Sequence, residues 1–212
     1  MRFLIVLGIV ALGLVPPARA AMTGSVRMFV RHEVADYAAW RTTYDALGDM
    51  RSRMGVRAQA VYRSAENLND ITVTHDFADL AQARRFAASP ELKLAMQQAG
   101  VTGAPEIWFT TLAAGHAAET NGVRMYVRHE VADFAAWRRA YAASAPARRR
   151  MGVISQSVHR SADDPNELTV THDFKTVEMA RSFASSAELR EAMKSAGVTG
   201  APRIWFTLRV MR

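Results

Sequence analysis

The chain has 212 residues, half of them hydrophobic, with a formal net charge of +7 and no cysteine. That composition excludes a disulfide scaffold, thiol chemistry and cysteine-ligated metals, and it carries too much apolar side chain for a disordered or fibrous protein. The basic residues are scattered among acids and form no long stripe, which argues against nucleic acid as a partner.

In chain order, the first predicted element is a targeting signal. Arg2, the apolar stretch Phe3 to Val15, the break at Pro16-Pro17 and the small-x-small run Ala18-Arg19-Ala20 spell a secretory signal peptide over residues 1–20. The stretch falls short of the ~20 residues a spanning helix needs. The mature protein is therefore expected to be periplasmic or secreted, with no membrane association after cleavage.

From Val26 to Glu33 side chains alternate between Val26, Met28, Val30, His32 and Arg27, Phe29, Arg31, Glu33, which predicts a half-buried strand. Asp36 then caps a helix whose stripe is Tyr37, Trp40, Tyr44, Leu47, Arg51 and Met54, closed by Gly55. Val56 to Ser64 and Ile71 to Phe77 read as a hairpin. Leu80, Ala83, Phe86 and Ala87 begin a second helix; Ser89-Pro90 interrupts it, and it continues to Gly100. A Val-Thr-Gly-Ala-Pro loop leads to a last strand, Glu106 to Leu112.

The whole pattern then recurs. Laying Met28 on Met125 gives a constant offset of 97 from Val26 to Thr110 against Val123 to Thr207, with about three positions in five identical. This is a tandem duplication, with repeats over 26–112 and 123–209 and a linker over 113–122. The cluster Arg148-Arg149-Arg150 reads as a solvated helix end without a close counterpart in the first repeat.

The order β-α-β-β-α-β is the split arrangement of ferredoxin-like folds, so the fold class is α+β. The face bearing Met28, Val30, His32, Ile71, Val73, His75 and Phe77 should lie under the helices. The opposite face, with Phe29, Arg31, Thr72, Thr74, Gln59 and Val61, is too aromatic for water and calls for a second sheet as its cover. The other repeat supplies one, which predicts an internal pseudo-dimer; two independent beads on the linker are the alternative.

Catalytic candidates are His32, His75, His129 and His172, each directed into a sheet–helix layer beside aromatic residues. The ligand-binding candidates are Tyr37, Trp40, Tyr44, Phe134, Trp137 and Tyr141. These aromatics also suit a core, and the imidazoles also suit core-edge hydrogen bonding. Trp108 and Trp205 either fill a barrel or line a pocket. Arg31, Arg63, Arg128 and Arg160 are expected on the inter-sheet face as ion pairs or anion hooks. No metal-binding motif, phosphate loop or serine-nucleophile motif is present.

A strand ending in Val-x-His-Glu-Val, a Trp-bearing helix, Arg-Ser-Ala before the hairpin and Ser-x-Glu-Leu…Met…Ala-Gly-Val before the closing strand resemble the dimeric α+β barrel superfamily. More narrowly, they are similar to small antibiotic-biosynthesis-monooxygenase-like and cyclase-like proteins. The resemblance covers each repeat and implies two tandem ferredoxin-like modules forming an intramolecular dimeric α+β barrel. It implies a small hydrophobic or aromatic ligand as partner and, if an enzyme, a cofactor-independent monooxygenase. A non-catalytic interaction or scaffold protein is the alternative. Haem binding is a third reading, weakened because neither repeat has a His in its second helical segment.

Overall fold

The computed structural model describes residues 25–116 and 122–210; the expected signal segment 1–20 and the middle of the expected linker lie outside them. The first repeat runs β1 (Val26–Val34), α1 (Tyr37–Ala46), α2 (Gly48–Arg53), β2 (Ala58–Ser64), β3 (Asp70–Phe77), α3 (Leu80–Ala87), α4 (Pro90–Gln98) and β4 (Val101–His116). The second runs β5 (Val123–Val131), α5 (Phe134–Ala143), α6 (Ala145–Arg150), β6 (Ser155–Ser161), β7 (Glu167–Phe174), α7 (Val177–Ser185), α8 (Ala187–Ser195) and β8 (Val198–Val210).

Capping starts the helices where expected. Asp36 accepts from the Ala39 amide at 2.7 Å and Asp133 from that of Ala136 at 2.6 Å, and Ser89 caps α4 ahead of Pro90. The single long helix expected over the Trp40 stripe is instead broken at Leu47, and its counterpart at Ser144, giving two helices in place of one in each repeat. In the second repeat Pro146, which lacks an amide hydrogen, occupies the first turn of α6.

Strand order is β1-β3-β2-β8-β5-β7-β6-β4, a closed barrel. The chain is thus α+β with two ferredoxin-like repeats, and the sheets join edge to edge through the β2–β8 and β4–β6 seams as well as facing each other. The independent-bead alternative falls with those seams.

Two details differ from expectation. The Val-Thr-Gly-Ala-Pro segment is no loop: Val101 and Thr102 already pair with Val34 and Glu33, and Gly103 to Pro105 form a bulge before Glu106 meets Arg31. Pro105 tolerates that site because it cannot donate to the ladder. Gln59 and Val61 lie on the helix side, since β2 pairs them with His75 and Val73; Ala60 and Tyr62 take the barrel side. A hairpin whose turn length is misjudged by one residue exchanges every face.

Each helix layer covers its own apolar core, around Met28, Val30, Ile71, Val73, Phe77 and Phe86 in the first repeat and their counterparts in the second. The barrel interior holds a third cluster: Phe29, Trp108, Tyr126 and Trp205. Phe29 stacks on Trp108 with centroids 5.0 Å apart, Tyr126 stacks on Trp205 at 4.9 Å, and the two indoles meet edge to face at 6.2 Å. The indole N–H of Trp108 donates to Thr169 of the other repeat at 3.0 Å, and that of Trp205 donates to Thr72 at 3.1 Å. Trp108 and Trp205 therefore fill the barrel.

Arg31 lies over Trp205 and pairs with Asp70; Arg128 lies over Trp108 and pairs with Glu167 and Glu106. Arg63 and Arg160, expected on the inter-sheet face, sit outside it and cover the rings of Tyr37 and Phe134.

Replacing Trp205 with Ala should destabilise the protein by about 3–5 kcal/mol, the usual cost of emptying a buried aromatic site. Urea unfolding followed by circular dichroism and fluorescence should show one transition for both repeats, and two separated transitions would mean that the halves fold apart.

Candidate functional site

His75 and His172 sit on the helix-facing side of β3 and β7, buried beneath Phe86 and Phe183. In each repeat the imidazole joins a four-residue network. Tyr44 Oη donates to Gln59 Oε1 at 3.0 Å and lies 3.3 Å from His75 Nε2; the Arg51 Nε donates to the same Gln59 oxygen at 2.7 Å. Tyr141, Gln156, His172 and Arg148 repeat this at 3.2, 3.2 and 2.8 Å. Each guanidinium also lies on the tyrosine ring, 3.7 Å from its centroid for Arg51 and 3.6 Å for Arg148.

The network assigns the proton positions. The glutamine oxygen is fixed as acceptor by the arginine, so the single tyrosine proton goes to it, and the tyrosine oxygen must accept from His Nε2–H. That leaves Nδ1 of His75 and His172 as an acceptor, and neither has a hydrogen-bond partner among the described residues. Burial, reinforced by the neighbouring Arg51 or Arg148, pushes both imidazoles down to about 3. Burial likewise pushes His32 and His129 down to about 4. Tyr141 is pushed up to about 12 by burial, so it stays a neutral phenol.

Arg51 and Arg148 are the residues that the sequence reading missed. Arg148 belongs to no solvated helix end: it is 6 % exposed, and it corresponds to Arg51 at the repeat offset. Gln59 and Gln156 were missed because β2 was set on the wrong face. The signal available was the strict recurrence of Tyr, Arg, Gln and His at one offset.

In the second repeat a cavity of about 70 Å³ opens against this network. His129, Trp137, Tyr141, Arg148, His172 and Phe183 line it, with the methionines of α8 and of the turn after α6. Trp137 and Tyr141 are thus brought to the cavity, whereas Phe134 stacks behind Trp137, and Tyr37 stacks likewise on Trp40. Trp40 and Tyr44 stack at 4.8 Å in the first repeat, beside His32 and His75.

The lining explains why the second repeat is the open one. Of the residues around the cavity, all are identical in the first repeat except Ala140, Ser144 and Ala147, which replace Thr43, Leu47 and Met50. Every difference removes side chain from the second repeat, and Met50 packs onto the first repeat's core. Three truncations on one helical face leave the volume that the larger side chains would take.

No protein-family model and no curated protein sequence matches the chain. Solved structures do. An anthrone oxidase-like protein matches with a TM-score of 0.63 at 8 % identity, over 89 % of this chain and 92 % of its own. A ferredoxin-fold protein related to antibiotic biosynthesis monooxygenases, from Listeria monocytogenes, matches at 0.54 and 7 % identity, over 92 % of this chain and 100 % of its own. The chain has the dimeric α+β-barrel fold. A monooxygenase-like protein from Listeria innocua aligns at 0.52 and 8 % identity, over 87 % and 94 % of the two chains. At such identities the likeness concerns the barrel and leaves its chemistry to the residues. Among the described residues no cluster of three metal-ligating side chains occurs in the barrel, and no helix is long and apolar enough to cross a membrane.

The buried imidazoles set a pH dependence. Folded, they stay neutral down to about pH 3–4; unfolded, they take a proton near the ordinary histidine value of 6.5. The unfolded state then holds more protons between those values, so their contribution to stability is fully present above about pH 6.5 and is lost as pH falls through the acid range. Urea midpoints should drop from about pH 6.5 to about pH 5, and the drop should shrink in the H75Q/H172Q double variant. A flat midpoint in wild type would contradict buried neutral rings.

Proposed function

We propose that this exported barrel binds one small, apolar or aromatic molecule carrying a hydrogen-bond donor, in the cavity of the second repeat. The observations that carry the reading are a largely apolar cavity lined in part by His172 and the buried Nδ1 of that same residue, an acceptor without a partner. A buried acceptor without a partner costs about 1–3 kcal/mol, and a ligand hydroxyl or N–H relieves that cost.

The same geometry ranks binding above catalysis. A general base works best with a pKa near the operating pH, and burial holds His172 far below it. The enzymatic version, cofactor-independent oxygenation, asks the ligand's own developing anion to raise the imidazole's proton affinity. The names of the monooxygenase-like structural neighbours support that version. In the first repeat the filled pocket favours the scaffold reading for that half.

The probe is para-fluorophenol, followed by fluorine NMR on the full chain. Wild type should bind one equivalent saturably; Ala147→Met, which restores the first repeat's residue, should abolish binding without loss of fold. His172→Ala should weaken it by about tenfold, the worth of one buried hydrogen bond. Unchanged binding in Ala147→Met would move the site elsewhere. Oxygen uptake with an oxidisable phenol, absent from the His172→Ala protein, would add the oxygenase activity.

A further inference from the structure

On its sheet side the cavity of the second repeat changes character from end to end. β5 and β7 pair antiparallel, with His129 opposite Leu168, Val127 opposite Val170 and His172 opposite Met125. The Val127–Val170 pair therefore falls midway between the two imidazole positions, and both valines and both histidines line the cavity. Four residues along the ladder separate the histidines, about 13 Å of backbone. On the helix side the Trp137 ring lies 5.8 Å from His129 and the Tyr141 ring 6.1 Å from His172, and these two rings stack at 4.7 Å. The lining thus runs polar, apolar, polar beneath an aromatic cover.

His129 is 7 % exposed, and neither of its ring nitrogens has a hydrogen-bond partner among the described residues. The Val127 carbonyl lies near enough to favour the protonated ring, yet it makes no hydrogen bond of ordinary geometry, and burial outweighs it. The neutral ring therefore holds one N–H donor and one acceptor, both unused. His172 differs, because Tyr141 engages its Nε2 and only Nδ1 is left over. His32 shares the state of His129 in the first repeat, the half with the larger side chains at three lining positions. Buried polar groups are normally paired, and two uncommitted nitrogens on a ring that lines a cavity suit a ligand group. Histidine χ2 is a soft torsion, so the ring can turn a nitrogen toward a partner that an occupant brings.

We infer that His129 reads a second polar group on the ligand: the occupant is an uncharged aromatic molecule with polar substituents at opposite ends, one for His172 and one for His129, its ring against Val127 and Val170. This rests on the cavity-binding reading above and adds the ligand class to it. The end groups are uncharged because both imidazoles stay neutral and offer no counter-charge, and burying a charge without one is costly.

The probes are 4-ethylphenol and 4-hydroxybenzyl alcohol, which differ at the far end by a methyl against a hydroxyl. Each is titrated calorimetrically into the full chain, and the readout is the ratio of the two dissociation constants. H129L should shift that ratio against the alcohol by about tenfold relative to wild type, the worth of one buried hydrogen bond. H129Q keeps a donor and an acceptor and should hold the wild-type preference, a rescue that a purely structural role would not produce. H129F supplies the apolar comparison if H129L does not fold. The same ratio in wild type and in a folded apolar variant overturns the role of His129. Should 4-ethylphenol bind wild type and not Ala147→Met while that ratio stays fixed, this inference alone falls; should neither phenol bind wild type, the cavity reading falls and takes this one with it.

Discussion

The barrel depends on a reciprocal exchange at its centre. Each repeat sends one indole across the interior to a threonine hydroxyl of the other, Trp108 to Thr169 and Trp205 to Thr72, and each indole stacks on an aromatic side chain of its neighbouring strand. Such a buried N–H requires a partner, and here the partner exists only when both halves are present in register. Stacked aromatic pairs add about 0.5–1.5 kcal/mol each beyond their burial. The exchange therefore couples assembly of the two sheets to the closing of the seams.

That coupling also organises the charges. The guanidinium of Arg124 is buried inside the barrel against Asp173 and Tyr62, and Arg27 meets Asp76 in the same bidentate way. Pairs of this kind cost desolvation and recover it only with good geometry and further hydrogen bonds, so they specify register more than they stabilise. His159 occupies the place of Tyr62 in the second repeat, bonded to Thr110 and Ser157, and burial holds its proton affinity well below the ordinary histidine range. The frame is symmetric in backbone but already unequal in its polar filling.

Much of this frame was legible. Alternation in β1, the Asp36 and Asp133 caps, the Ser89-Pro90 interruption and the 97-residue offset are local signals, and local signals survive into the structure. What was not legible is long-range parity. One misjudged hairpin put Gln59 and Val61 on the wrong face, and with them went the acceptor that ties Tyr44 to Arg51. Arg148 was misread for a related reason: within an Arg-Arg-Arg run, charge suggests solvent, whereas helical position turns only the first toward Tyr141 and Gln156. The imidazoles were placed in the correct layer because β1 and β3 alternate cleanly.

A duplicated barrel separates what must be kept from what can change. The strands, the indole exchange and the His-Tyr-Gln-Arg network recur in both halves, and losing either indole would open the shared interior. The helix face over each network is under no such constraint, and there Thr43, Leu47 and Met50 give way to Ala140, Ser144 and Ala147. Filling one pocket adds core contacts to the first repeat, whose packing then supports the half that stays open, since a cavity costs stability in proportion to its volume. Division of labour between the repeats follows from this: both halves bury an imidazole acceptor without a partner, at His75 and His172, but the second half carries the truncated helix face and the cavity beside it, supported by the more filled half joined to it at both seams.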